Sequence, residues 1–227
     1  MIETIGDFEI ELKKDDVCQS LGYRDGGQPT ASISTLIDEE LKEARQLIEA
    51  SSYYQFMDVD DVSPPTVVLD NGMRIAVTGE ILSWVLSPCQ LATVFVSSIG
   101  LPLENRVAEL LEEGELLRGY ILDAIGSTAA NAAAAYLRDR IRDLAKSEGA
   151  EITIRCSPGY CDWDIAEQRV LFEVMDSAET GVELSNDCLM TPRKSVSGLI
   201  GVGWGDKERI RLTPCHLCTR SDCPNRR

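Results

Sequence analysis

The stretch Arg155-Cys156-Ser157-Pro158-Gly159-Tyr160-Cys161-Asp162-Trp163-Asp164 brings together a guanidinium, a Pro-Gly turn, two thiols and two aromatic rings. An arginine at the end of a strand can hold a carboxylate through two parallel N–H···O bonds. Pro158 and Gly159 make a tight turn, which exposes backbone N–H and C=O groups to a ligand. Tyr160 and Trp163 each offer a flat apolar face with a polar tip. Such a loop suits a ligand that carries both a carboxylate and a ring. The same residues also suit a plain strand-to-helix connection with a surface arginine and two core aromatics. Taken alone, the stretch leaves both readings open.

Sulfur is the second chemical theme. The cysteines are Cys18, Cys89, Cys156, Cys161, Cys188, Cys215, Cys218 and Cys223, and the last six fall in the final third of the chain. Cys215, Cys218 and Cys223 form a C-x2-C-x4-C pattern, with the single histidine, His216, inside it. Three closely spaced thiolates suit zinc or an iron–sulfur cluster, and either normally takes a fourth ligand. Cys161 is the first candidate for that place, with Cys188 as the alternative. Free thiols in a loose terminus are the other reading. With one histidine, a Ser-His-Asp or Cys-His hydrolase would have to be built around this tail, and that class is set aside.

A third stretch runs from Cys188 to Gly205, CLMTPRKSVSGLIGVGWG. Arg193 and Lys194 precede a strand whose Ser195, Ser197 and Gly198 permit close backbone approach. Gly201, Gly203 and Gly205 are not a dinucleotide fingerprint, because DKERIRL opens no convincing helix after them.

These residues need a scaffold. The chain has 227 residues, 44% of them hydrophobic, enough for one large domain with a core. No apolar run reaches the ~18 to 20 residues of a membrane span, and the opening MIETIGDFEIELKK shows no basic-then-apolar signal. A cytoplasmic protein is expected, which makes thiols, metal or redox chemistry the natural use of its cysteines. The net charge of −16 disfavours nucleic acid, which takes clustered Lys and Arg to bind.

Periodicity supplies the elements. A strand is expected at FEIEL and a helix at DDVCQSLG. Apolar residues at three- and four-residue spacing predict a helix over 35–50. Strands TVVLD and MRIAVTG flank a hairpin turn at Asp70-Asn71-Gly72. A helix over 80–86, the strand LATVFVSSIG and a helix over 103–111 follow. A long helix over 115–146 is rich in alanine, which allows close approach by a sheet or a ligand. Strand EITIR, a helix over 165–177 and strands GVELSND and SVSGLIGVG complete the body. The pattern lacks regular βα alternation, so one α+β domain over 1–205 is expected, with 206–227 as a cysteine-rich tail.

Taken together, RCSPGYCDW, EQRVLFEVMD and GVELSNDCLMTPRKSVSGLIG resemble the reactivation domain of cobalamin-dependent methionine synthase, and especially its stand-alone relatives. The resemblance extends back through LLRGYILDAIGSTAANAAAAYLRDRI and LATVFVSSIG. It covers residues 65 to 205 well and residues 1 to 64 more loosely. It implies a twisted, mainly antiparallel sheet with a long central helix. It also implies an accessory protein that docks on a cobalamin-binding methyltransferase subunit and supports its reductive methylation. S-adenosylmethionine would be the small-molecule ligand, and a flavodoxin or ferredoxin the electron donor.

By the same resemblance Arg155 would bind the methionine carboxylate, Cys156, Ser157, Pro158 and Gly159 would line the ligand, and Tyr160 would face the corrin. The family carries acids on the long helix that help hold the cationic ligand. The matching positions here are Ser127 and Asn131, both neutral, so weak adenosylmethionine binding is expected. Two alternatives follow: a non-catalytic module that binds a corrinoid protein or a small carboxylate, and an iron–sulfur electron-transfer protein for a corrinoid partner.

Overall fold

The computed structural model describes residues 1–23, 26–213, 215, 217 and 218. His216 and Cys223 lie outside them. In chain order the elements are β1 (Glu3–Gly6), α1 (Lys14–Ser20), α2 (Ala31–Leu47), β2 (Ser51–Ser63), β3 (Thr66–Asp70), β4 (Ile75–Thr78), α3 (Glu80–Leu86) and β5 (Leu91–Ser98). They continue with α4 (Pro102–Glu112), α5 (Leu116–Ser147), β6 (Glu151–Cys156), α6 (Gln168–Val174), α7 (Ser177–Thr180), β7 (Glu183–Leu184), β8 (Met190–Thr191), β9 (Ser195–Gly203) and α8 (Lys207–Arg211). No helix among the described residues is long and apolar enough to cross a membrane.

The fold is α+β. A seven-stranded sheet runs β4-β3-β2-β5-β9-β6, with β1 also on β2, and its pairings are antiparallel. Nearly all of β5 is buried, as a strand covered on both faces must be. On one face, Phe95, Ile200 and Val202 pack with Ala134, Leu137 and Ile141 of α5. On the other, Val94, Val96 and Leu199 pack with Leu86, Trp163 and Leu171. A third cluster joins the first half of α5 to α1, α2 and α4 through Val17, Leu41, Leu103 and Ile125.

The sequence expectations hold for α1, α3, α4, α5, β3 to β6 and β9, and they need correcting elsewhere. FEIEL is not a strand, since β1 lies earlier at Glu3–Gly6. Its alternating Phe8, Ile10 and Leu12 pack against the helical cluster, and Phe8 stacks on Tyr136 with ring centroids 4.2 Å apart. Helix α2 starts earlier than expected, where Thr30 caps Ile33 N–H, and stops at Leu47 so that β2 can begin. Strand β2 was not expected at all. The predicted helix over 165–177 is a 3-10 turn (Ile165–Glu167) followed by α6. Only two residues of GVELSND are strand, paired with β8 in a small ribbon. The segment DKERIRL does form a short helix, α8, because the Asp206 carboxylate accepts from the N–H groups of Glu208 and Arg209.

The pairing of β6 with β9 shifts register between Ile152 and Arg155. It depends on Gly198. A Cβ there would stand 2.1 Å from the Cys156 carbonyl oxygen and 2.8 Å from Ser157 Oγ. Gly198→Ala should therefore destabilise the protein by about 1 to 3 kcal/mol or more, the usual cost of overpacking. Urea unfolding reads this directly, and an unchanged midpoint would show that β6 can move away without loss.

Candidate ligand groove

The end of β6 and the loop after it border a groove of about 980 Å³ against α5. The loop is held tightly. Gly159 N–H donates to the Trp163 carbonyl at 2.8 Å, and Trp163 N–H donates to the Tyr160 carbonyl at 3.1 Å. Gly159 has a φ of 88° and Cys161 a φ of 55°, so the turn passes twice through the left-handed region. From outside, the Asp162 carboxylate accepts from Ile81 N–H and so caps α3, while Glu167 accepts from Thr78 N–H at 2.9 Å. Trp163 is buried in the core, and Tyr160 is left 52% exposed at the rim.

Arg155 leaves β6 toward α5. Its guanidinium donates to Asn131 Oδ1 at 3.0 Å, and Asn131 Nδ2 donates to the Ser127 carbonyl at 3.1 Å. One turn earlier, Lys194 donates to Ser127 Oγ at 2.9 Å and pairs with Asp123 at 2.7 Å. The lysine stem runs beside Gly126, where a Cβ would meet Lys194 Cε at 3.2 Å. A hydrogen-bonded chain thus joins sheet and helix from Arg155 to Asp123. The importance of Asp123 and Lys194 was not anticipated, because their meeting depends on how β9 crosses α5.

Of the residues singled out from sequence, Asn131, Arg155, Cys156, Ser157, Tyr160, Cys161, Cys215 and Cys218 line the groove. Pro158 is buried beneath the turn and Gly159 is exposed. Ser127 is half-buried beside Lys194. Cys188 is buried in the turn between β7 and β8 and is not among the lining residues. Two buried donors of the loop, Ser157 Oγ and Trp163 Nε1, have no hydrogen-bond partner among the described residues.

Helix α8 brings the tail to the groove. Arg209 lies over the Trp84 ring, 3.6 Å from its centroid, and donates to the Trp84 carbonyl at 2.7 Å. Arg211 grips the Glu151 carboxylate with bonds of 2.6 and 3.1 Å. Beyond them, Cys218 hydrogen-bonds with Cys161, with Cys215 close enough to act on the same thiol. Enclosure by the loop, then this bond, push the Cys161 thiol up to about 11, and burial pushes Cys156 up to about 12. Cys156 and Cys161 are therefore protonated thiols near neutral pH in the absence of a cation. Among the described residues, no three His, Cys, Asp or Glu side chains are arranged to hold a metal ion.

With this geometry in view, comparison with known proteins places the chain. The family described as "Vitamin B12 dependent methionine synthase, activation domain" matches residues 89–204, just over half of the sequence. The stretch runs from the start of β5 through α5 and the groove loop to the end of β9. The chain belongs to that family. A crystal structure of the MetH reactivation domain bound to AdoHcy shares the fold, with a TM-score of 0.61 at 13% identity, over 88% of this chain and 78% of that one. No curated protein sequence matches this chain.

The Arg211–Glu151 pair generates a pH prediction. The hydrogen bonds from Arg211 hold the Glu151 carboxyl below its ordinary value of 4.5. A depressed acid stabilises the fold fully above the ordinary value and loses that contribution as pH falls through the lower, folded one. Glu151→Gln should therefore speed amide exchange over residues 207–211 several-fold at neutral pH. The wild type should approach the variant as the medium is acidified below about pH 4. Exchange unaffected by the substitution would mean that Arg209 and Trp84 alone hold α8.

Proposed function

We propose that this protein is an accessory factor that docks on a cobalamin-binding methyltransferase subunit and supports its reductive reactivation and methylation. The observation that carries the reading is the rigid loop from Arg155 to Tyr160, stapled to α3 and β4 and poised over a groove against α5. Family membership supplies the context of cobalamin-dependent methionine synthase. In this reading Tyr160 meets the corrin from its exposed rim position, and Arg155 with the loop backbone at Cys156, Ser157, Pro158 and Gly159 borders the small ligand. A flavodoxin or ferredoxin supplies the electron.

An adenosylmethionine-type ligand is the natural occupant by likeness to the AdoHcy-bound domain. The charges on the groove argue that it binds weakly here. Arg155 is met by the neutral Asn131, and Ser127 is met by the Lys194 ammonium. Among the described residues a sulfonium placed on this stripe finds no free acid, and like charges repel most where water is excluded. That observation favours the second reading, a module that binds its corrinoid partner without supporting methylation.

The tail belongs to the same proposal. Cys161, Cys215 and Cys218 share one end of the groove and are the soft donors that zinc or an iron–sulfur cluster takes. They do not form a ligand group by themselves, so Cys223 would complete the set. A cluster held there would supply one-electron transfer, whereas zinc would tether the tail. Cys188, away from the groove, is the weaker alternative.

Tyr160→Ala should leave the unfolding midpoint unchanged, since an exposed loop side chain contributes little to the core. It should reduce reactivation of an inactive cobalamin-bearing partner, followed by the visible spectrum of the corrinoid. Full reactivation by a variant shown to bind the partner would remove Tyr160 from the interface.

Metal analysis of protein prepared without oxygen should find about one thiolate-bound site per chain. It should be lost in Cys161→Ser and kept in Cys188→Ser. The reverse pattern would move the fourth ligand to Cys188, and metal-free wild-type protein would leave the tail as thiols.

A further inference from the structure

The face of α5 that borders the groove is cationic in its second half. Arg155 sits at Asn131. Arg138, Arg142 and Lys146 follow at the four-residue spacing that stacks side chains in one row. Arg211 lines the same groove from α8. The lining therefore holds Arg138, Arg142, Lys146, Arg155 and Arg211, with Glu151 and Asp162 as its carboxylates. This concentration of positive charge stands in a chain whose net charge is −16.

Among the described residues, the acids beside the row Arg138, Arg142 and Lys146 are shared or engaged elsewhere. Glu151 is engaged by Arg211, and Asp162 caps α3. Asp139 accepts from both Arg138, at 2.9 Å, and Arg142, at 2.7 Å, so one carboxylate serves two guanidiniums. The helix macrodipole favours Lys146 in the last turn of α5, but it fades within that turn and does not explain Arg138 two turns earlier.

We propose that the groove binds a small molecule carrying a diphosphate, of the nucleoside diphosphate class, with its phosphates along Arg138, Arg142 and Lys146. The row spans about 12 Å at 1.5 Å per residue, more than a single carboxylate can satisfy. Guanidinium forks match phosphate oxygens in pairs, and the ammonium adds a compact charge. Ala134 and Ala135 keep the middle of the groove low, and the Tyr160 ring lies at its rim for a base to approach. The proposal goes beyond the cobalamin reading and does not depend on it, because the binding is measured on this protein alone.

The test is titration calorimetry of the full chain at low and moderate salt, with inorganic pyrophosphate, ADP, adenosine and adenosylmethionine as separate ligands. ADP and pyrophosphate should bind, ADP more tightly, and both should weaken as salt rises. Adenosine and adenosylmethionine should bind more weakly than ADP. The double variant Arg142→Gln/Lys146→Gln should lose about tenfold or more in pyrophosphate affinity, the scale of one lost charge-assisted bond. Lys42→Gln, on α2 and outside the groove lining, should change nothing. Adenosylmethionine binding more tightly than ADP, wild-type affinity in the double variant, or an equal loss in Lys42→Gln would each overturn the proposal. Failure on any of these counts leaves the corrinoid reading standing, since the cobalamin-bearing partner takes no part in the measurement.

Discussion

Ala129 and Ala133 of α5 are buried among the neighbouring helices and Ala134 against the sheet, and these small side chains let the helix lie close to both. That approach determines where every groove residue can stand. A helix of 32 residues extends about 48 Å, enough to cross the whole sheet and still carry both ends into other contacts. Bulkier side chains along its inner face would lift it, and Arg155 would no longer reach Asn131. Gly198 makes the complementary approach on the sheet side by admitting the Cys156 carbonyl. The groove is thus a consequence of two tight packings, one between helix and sheet and one between adjacent strands.

Much of this was legible in the sequence where a signal was local. The alanine run, the continuous apolar run of β5 and the hairpin turn near Gly72 each specify their element within a few residues. Strand β2 was missed because its second half carries Asp58, Asp60 and Asp61, which read as solvent-facing loop. In the fold Asp58 and Asp61 pair with β3, and it is Tyr54, Met57 and their neighbours that carry the burial. FEIEL misled in the opposite sense. Its alternation is real, but the segment spends its apolar side on helices instead of a neighbouring strand.

The site divides in the same way. The Arg155 loop was legible because its turn, ring and guanidinium are contiguous in sequence. The Lys194–Asp123 pair spans 71 positions in the chain and joins β9's approach to α5. Nothing local marks it. The row Arg138, Arg142 and Lys146 is a spacing that could have been read, yet its meaning depends on which helix face borders the groove. A basic row facing bulk water is an ordinary solvated helix side, whereas the same row on a groove wall is a selectivity element.

Charge then decides what the groove can accept. A chain with a large negative net charge attracts cations to its surface as a whole, while its groove presents guanidiniums and an ammonium at short range. Long-range attraction is screened over about 8 to 10 Å at moderate salt, so contact charges dominate once a ligand has entered. Asn131 fits this pattern, because an acid there would pair with the adjacent Arg155 and cancel part of the field. Its neutrality preserves the positive charge at that point of the groove. A neutral Asn131 and a cationic groove wall are therefore two parts of one electrostatic arrangement, built on a fold that the family holds in common.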